Sequence, residues 1–290
     1  METVGLVGVG KIGLPIAENL IKSGYRVVGY RRSSLAAFEK IGGIAAGSPA
    51  EIGAQADVVF SCLPSSQALE DVVQGPNGLV TSARAGQIIV ELGSHPVPDK
   101  QRHVAPLAAK GASFLDGEVS GTPGMVLARR AVIYLAGEKE ACAKAERFIG
   151  GFADSCLYFG AFGAASRVKL VNNLLVAINI AATAEAMALG LKAGVDVDLM
   201  IKAIATGSGG STQFGIRAPW KRRFLPAQGT VPALQHYFDM IGEFADGVGV
   251  ATPMLDRAVE LYDKFMDMGF GEKDAAAMVD VIGALARSKA

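Results

Sequence analysis

The sequence predicts an α/β protein in two parts: an N-terminal domain built on a doubly wound parallel sheet, and an all-α C-terminal domain joined to it by a long interdomain helix. Three observations predict this. Short apolar runs alternate with helical segments over the first half of the chain, the pattern that builds a parallel sheet. A glycine-rich turn sits between the first apolar run and the first helix, and after Gly163 the pattern is helical to the C-terminus. At 290 residues and 50% hydrophobic content the chain exceeds one typical core, so two domains are expected, residues 1–161 and 162–290.

The first element is a short apolar strand from Thr3 that runs into Gly8-x-Gly10-x-x-Gly13 and an amphipathic helix through Ser23. In this order of strand, glycine turn and helix, Gly8 permits the tight turn, Gly10 lets the backbone approach a pyrophosphate, and Gly13 allows close strand-helix packing. The phosphates are expected at the helix N-terminus. A bare glycine spacing is weak in a chain with 36 glycines, but its position between a strand and a helix makes this a Rossmann dinucleotide fingerprint. Gly8, Val9, Gly10, Lys11, Ile12 and Gly13 are the expected cradle.

The second strand, Arg26–Tyr30, ends in Arg31-Arg32-Ser33. An NAD-selective site usually carries a carboxylate here for the ribose hydroxyls, and a carboxylate would repel a 2'-phosphate. Two guanidinium groups and a hydroxyl instead read as a 2'-phosphate clamp, so NADP(H) is the preferred cofactor and NAD(H) the alternative. The other reading of the same residues is a solvated basic loop.

Further strands follow at residues 57–63, ending in Pro64-Ser65-Ser66, and 87–92, ending in Gly93-Ser94-His95-Pro96. Phe114-Leu115 ends in Asp116-Gly117, and residues 131–136 and 157–159 complete the sheet. Ligands bind beyond the carboxyl ends of strands in such sheets, so these loops should line the crevice.

The connecting helix is expected to begin near Ala164. Within residues 168–191 only Lys169 and Glu185 are charged. A lysine carried into such apolar surroundings is costly unless it has a role, and Asn173 follows one helical turn later on the same face. The alternative is a lysine snorkelling from a buried helix. The segment is long enough to span a bilayer, but Asn172, Asn173, Asn179 and Glu185 interrupt it, and it reads as a buried helix covered by the second domain or another subunit. A homodimer or homotetramer is expected.

Composition excludes several classes. Formal net charge is zero and no basic run exceeds Lys221-Arg222-Arg223, which argues against nucleic acid. Cys62, Cys142 and Cys156 lack metal-ligand spacing, the three histidines are scattered, and no metal site is readable. The cysteines suit a reducing compartment, and the first strand begins within three residues of Met1, leaving no room for a signal peptide; the expectation is a cytoplasmic protein without a membrane partner.

Five motifs in order carry a family resemblance: Gly8 to Gly13 with Ile16-Ala17-Glu18-Asn19-Leu20; Leu63-Pro64 after a strand; Val119-Ser120-Gly121; residues 160–173 with Lys169; and Gly269-x-Gly271-x-x-Asp274. Over nearly its whole length the chain resembles the beta-hydroxyacid dehydrogenases, among them 3-hydroxyisobutyrate dehydrogenases and tartronate semialdehyde reductases. The resemblance implies that Lys169 is the catalytic lysine and that Asn173 helps hold the substrate. It places Ser120, Gly121 and Thr122 on the segment that binds the substrate carboxylate, although the family usually has a second glycine where Thr122 stands. Leu63, Pro64 and Ser94 correspond to loops touching the cofactor, and Arg32 falls where NADP-using relatives often carry arginine.

One position departs from the family. A second lysine, in a Lys-Asp pair on a later helix, is replaced by Phe238 followed by Asp239, which removes an anchor for an anionic substrate and supplies an aromatic wall. Neighbouring His236 reads as packing with Tyr237 and Phe238 or, alternatively, as a donor to the substrate, residues 208–212 as a substrate-facing turn or a helix connection, and Trp220 as a pocket or interface residue. The expected activity is reversible, NADP(H)-dependent hydride transfer between a small beta-hydroxy acid and its semialdehyde or keto form, with Lys169 as general acid/base. An imine reductase-like enzyme acting on a less anionic substrate is the alternative, and a non-catalytic NADP-binding reader or sensor is a third.

Overall fold

The molecule is described by a computed structural model covering residues 1–219, 227 and 229–287. It divides into two compact units, Met1–Lys169 and Leu170–Ala290. One eight-stranded sheet organises the first: β1 (Thr3–Val7), β2 (Arg26–Tyr30), β3 (Ile44–Ala45), β4 (Val58–Ser61), β5 (Ile88–Glu91), β6 (Ser113–Ser120), β7 (Val132–Ala136) and β8 (Ser155–Tyr158). The strand order is β3-β2-β1-β4-β5-β6-β7-β8.

Successive side chains of a strand point to opposite faces, and here each face carries its own core. Leu6, Val27, Phe60 and Val90 pack on one side with Ile16 and Leu20 of the Gly13–Lys22 helix and Ala145 of the Lys139–Ile149 helix. Val7, Val28, Val59 and Ile89 pack on the other side with Ile52, Leu69 and Leu107. Because both faces are covered, β4 and β5 are buried throughout, and their first three residues, Val58-Val59-Phe60 and Ile88-Ile89-Val90, are apolar without alternation. This is the doubly wound Rossmann arrangement expected from the sequence.

Two details differ from the expectation. The sheet is parallel from β3 through β6, but β6 pairs antiparallel with β7, so it is mixed. The β6 strand also does not stop at Asp116-Gly117; it continues to Ser120, with residues Asp116 to Ser120 paired to β7. Asp116 can lie inside a buried strand because Lys100 Nζ donates to it at 3.0 Å and the Ser166 backbone N–H at 3.0 Å. A strand residue that looked like a turn signal is a satisfied buried carboxylate.

The second unit is helical. The Ala164–Lys192 helix is shared with the first unit, and it is followed by helices Val197–Thr206, Thr212–Arg217, Val231–Val248, Pro253–Asp267 and Met278–Arg287. Ala177, Ile180, Ala184 and Met187 of the long helix pack with Phe214, Ile241, Tyr262 and Phe265. Tyr262 is fully buried, and its hydroxyl donates to the Ala177 carbonyl at 2.8 Å, tying two helices together. Tyr262→Phe should cost about 1 kcal/mol, read as a lower midpoint in denaturant unfolding with little change in slope. Among the described residues, Val171, Leu175 and Leu189 of the long helix are 50%, 55% and 73% exposed.

Asp274, last residue of the Gly269-x-Gly271-x-x-Asp274 motif, is a structural clamp. It is ion-paired to buried Arg217 and accepts from the backbone N–H groups of Gly229 and Ala276 at 3.1 and 2.9 Å. Ser211 caps the Thr212–Arg217 helix by accepting from Phe214 N at 3.0 Å, which accounts for residues 208–212 as a helix connection. His236 is exposed with its ring edge-on to Tyr237. Trp220 and residues 221–223 lie outside the described residues.

Candidate active site

The strand order reverses between β1 and β4, so the loops after these strands diverge and open the crevice typical of open α/β sheets. The glycine turn lies there. Gly8 has φ +90° and donates to the Tyr30 carbonyl at 2.9 Å, while Cys62 of the loop after β4 donates to Val7 at 2.8 Å. A side chain at Gly8 would meet the Cys62 carbonyl at 2.2 Å, and one at Gly13 would meet the Gly8 carbonyl at 2.2 Å. Gly10 is different: nothing lies within 4 Å of where its Cβ would be. The first and third glycines are thus required by the protein's own packing, and the second leaves backbone open beside a helix N-terminus, as a bound pyrophosphate needs. Within the turn Val9 is buried, Lys11 exposed and Ile12 half-buried at the helix start.

Arg31, Arg32 and Ser33 are exposed and follow directly on Tyr30, whose carbonyl is bonded to Gly8. The two arginines therefore leave the sheet beside the glycine turn. Leu63 and Pro64 follow β4, half-buried and exposed respectively, before Ser65 caps the next helix.

Lys169 is 7% exposed, and its ammonium donates to the Val119 carbonyl at 2.7 Å. Val119 directly precedes Ser120, the last residue of β6, so the geometry brings the lysine to the Ser120–Thr122 segment. Thr122 caps the Pro123–Leu127 helix, accepting from Met125 N, and Gly121 packs closely on Ala131. The buried Asn19 amide reaches across from the first helix to the Val126 carbonyl at 2.7 Å, fixing the far side of the same turn. Asn173 lies one turn beyond Lys169 on the continuous helix, buried, with its side-chain oxygen accepting from Asn172 at 3.1 Å. Phe238 belongs to the helical unit, where it packs on Tyr262 with ring centroids 5.1 Å apart.

Beneath Lys169 is a buried polar cluster that the sequence reading missed. Lys100 Nζ donates to Asp116, to Glu118 at 3.0 Å and to the Gly117 carbonyl at 3.1 Å. Ser94 donates to the second oxygen of Glu118, and Ser166, one turn before Lys169, donates to Asp116 at 2.6 Å. Glu91 is held by Ser61 and by Gly93 N at 2.6 Å, with His95 Nε2 3.4 Å away. Burial opposes the charge on Lys100, but Glu118, Asp116 and Glu91 outweigh it, so its pKa is raised and it is a fixed cation. Burial pushes the Glu118 carboxyl up, against the pull of Lys100 and Lys169. Burial pulls Lys169 down from the ordinary lysine value; Glu118 resists this and Lys100 adds to it. A signal was present: Asp116 and Glu118 are two apart and so share one face of a strand.

A doubly wound fold with an open glycine turn at the reversal of strand order is the arrangement of a dinucleotide-binding domain. Residues 3–160 match the family model for the NAD-binding domain of 6-phosphogluconate dehydrogenase, and residues 163–282 match that for the NAD-binding region of NADP-dependent 3-hydroxyisobutyrate dehydrogenase. The chain is 30% identical over 285 residues to L-threonate dehydrogenase of Cupriavidus necator, covering 97% of this chain and 96% of that one. It is also 30% identical to mitochondrial 3-hydroxyisobutyrate dehydrogenase of Rattus norvegicus, covering 95% and 85%. In fold it resembles the solved structure of Psf3 in complex with NADP+ and 2-OPP, with a TM-score of 0.87, 23% identity and coverage of 96% and 99%. An imine reductase from Pseudomonas sp. is more distant, at a TM-score of 0.64, 19% identity and coverage of 97% and 99%. The chain belongs to the beta-hydroxyacid dehydrogenase family.

Proposed function

We propose that this protein is an NADP(H)-dependent dehydrogenase that interconverts a small beta-hydroxy acid and its semialdehyde or keto form, with Lys169 as general acid/base. The observation that carries this reading is a buried lysine, lowered in pKa by desolvation, whose amine sits against the carbonyl next to Ser120. A proton-transfer group works best with a pKa near the working pH, and burial moves a lysine that way.

The glycine turn from Gly8 to Gly13 would hold NADP(H), with Arg31, Arg32 and Ser33 available to its 2'-phosphate, and the bound cofactor would supply or take the hydride. Leu63, Pro64 and Ser94 line its approach from the loops after β4 and β5. In reduction, the Lys169 ammonium stabilises negative charge growing on the substrate oxygen and delivers a proton to it. In oxidation, the neutral amine accepts the hydroxyl proton. Ser120, Gly121 and Thr122 bind the substrate carboxylate through backbone N–H groups, and Asn173 orients the substrate beside the amine. Phe238, in place of a second ammonium, favours a substrate with an apolar rather than a second anionic end.

The test is a panel of beta-hydroxy acids, with and without apolar substituents, assayed with NADP+ and NAD+ by cofactor reduction, beside cyclic imines assayed with NADPH. Turnover of at least one hydroxy acid, faster with NADP+, is expected; turnover of the imines alone would replace this reading. We also infer a homodimer or larger assembly through the long helix, supported by exposed Val171, Leu175 and Leu189. Light scattering should give at least twice the mass of the 290-residue chain, and a stable monomer would overturn that inference.

A further inference from the structure

The cluster beneath Lys169 is poorly explained as a stability device. Burying several charges is costly, and an apolar replacement of similar volume is often as stable or more so. Its composition points to another role. Glu91, Asp116 and Glu118 are three buried carboxyls, while Lys100 is the fixed cation among them. Asp116 is committed to Lys100 and to two donors from Ser166 at the start of the long helix. Glu91 is committed to Ser61, to Gly93 N and to the neighbourhood of His95, which is itself buried. Glu118 remains as the carboxyl that accepts from one amine, Lys100, and acts electrostatically on the other, Lys169. One of its oxygens takes Lys100 at 3.0 Å and lies 3.4 Å from Ser166 Oγ, and the other takes Ser94. Val119, the residue after it, supplies the carbonyl that receives Lys169.

We propose that Glu118 is the positioning residue for Lys169: its carboxylate is the countercharge that lets a desolvated amine hold a proton at the place where the substrate oxygen is delivered. This rests on Lys169 being the general acid/base. Two amines then face three carboxyls, with buried His95 beside Glu91 and with the Cys62 thiol, which burial together with Glu91 and Glu118 pushes up and so keeps neutral. Glu118 balances the ammonium electrostatically, while Lys100 and Ser94 hold the carboxylate from the other side. The groups facing Lys169 in its own unit pull in opposite directions, Glu118 favouring the charged amine and Lys100 disfavouring it. Removing the Glu118 charge leaves only Lys100 and desolvation, so the Lys169 pKa must fall further.

The experiment follows Lys169 directly in the full-length protein carrying carbon-13-labelled lysine, its resonance assigned by loss of the signal in Lys169→Arg. In Glu118→Gln the titration midpoint should fall by about one pH unit, and in Glu118→Asp, which keeps the carboxylate, it should stay near the wild-type value. The wild type alone also reports: its Lys169 resonance should show a second, smaller inflection as the neighbouring carboxyl titrates. Reductive turnover of Glu118→Gln above the lowered midpoint should drop about tenfold, with oxidation affected less, because fewer molecules hold the proton that reduction needs. An unmoved midpoint in Glu118→Gln, or a wild-type resonance without the second inflection, overturns the proposal. A shifted midpoint without a matching shift in the rate profile upholds the coupling and overturns instead the assignment of Lys169 as acid/base.

Discussion

Lys169→Ala is expected to lower turnover in both directions by about 10³-fold or more, some 4 kcal/mol of transition-state stabilisation, while the affinity for NADP(H) stays within about threefold of wild type. Lys169 carries the only ammonium within residues 168–191, and in the structure it donates to the Val119 carbonyl at 2.7 Å. A lysine kept for packing could be shortened with a loss of stability but not of chemistry. A lysine kept for proton transfer loses both the donor in reduction and the acceptor in oxidation. In the proposed function cofactor affinity rests on the glycine turn and the loops at the reversal of strand order, none of which contains Lys169. Measured kcat, KM and cofactor binding by titration separate the two cases, and retention of most of the rate would reject the catalytic assignment.

The second large effect concerns cofactor choice. Arg31→Ala together with Arg32→Ala should weaken NADPH by about 100-fold and NADH by no more than about threefold, because the ligands differ only in the 2'-phosphate that guanidinium groups recognise. Both side chains are exposed, so water and salt screen them, and the proposed preference of the wild type for NADPH should itself shrink as salt is raised. Equal loss of both cofactors would show that the pair supports the loop rather than the phosphate. Binding titrations at two ionic strengths decide it.

Much of the fold was legible because its signals are local. The glycine spacing, the apolar strand before it and the helix after it are all set by contacts within a few residues, and Gly8 and Gly13 proved to be placed against backbone that no side chain could share. The buried strand β4 was legible as a continuous apolar run and β5 as a mostly apolar one closed by a turn signal, with ends within one or two residues of those observed. The beginning of the long helix at Ala164 was legible from the change in pattern after Gly163.

What escaped was encoded over long separations. Asp116-Gly117 resembled a turn because an aspartate beside a glycine usually is one, and only Lys100 and Ser166, 16 and 50 residues away, make it strand. Lys100 lies in a short helix where Val97 and Pro98 are followed by Asp99 and Gln101, too little apolar pattern to mark it as buried, yet it is fully enclosed. The role of Asp274 in gripping Arg217 and Gly229 was likewise invisible in a motif read as a family signature. The two-residue β3 has too few side chains to show any period.

The most direct test of the account is the pH dependence of kcat/KM measured in both directions on the wild-type enzyme. Oxidation needs the neutral amine and should rise with pH; reduction needs the ammonium and should fall, and the two limbs should share one midpoint below the ordinary lysine range. Flat profiles through that range, or limbs that move together, would contradict a buried lysine as the proton carrier.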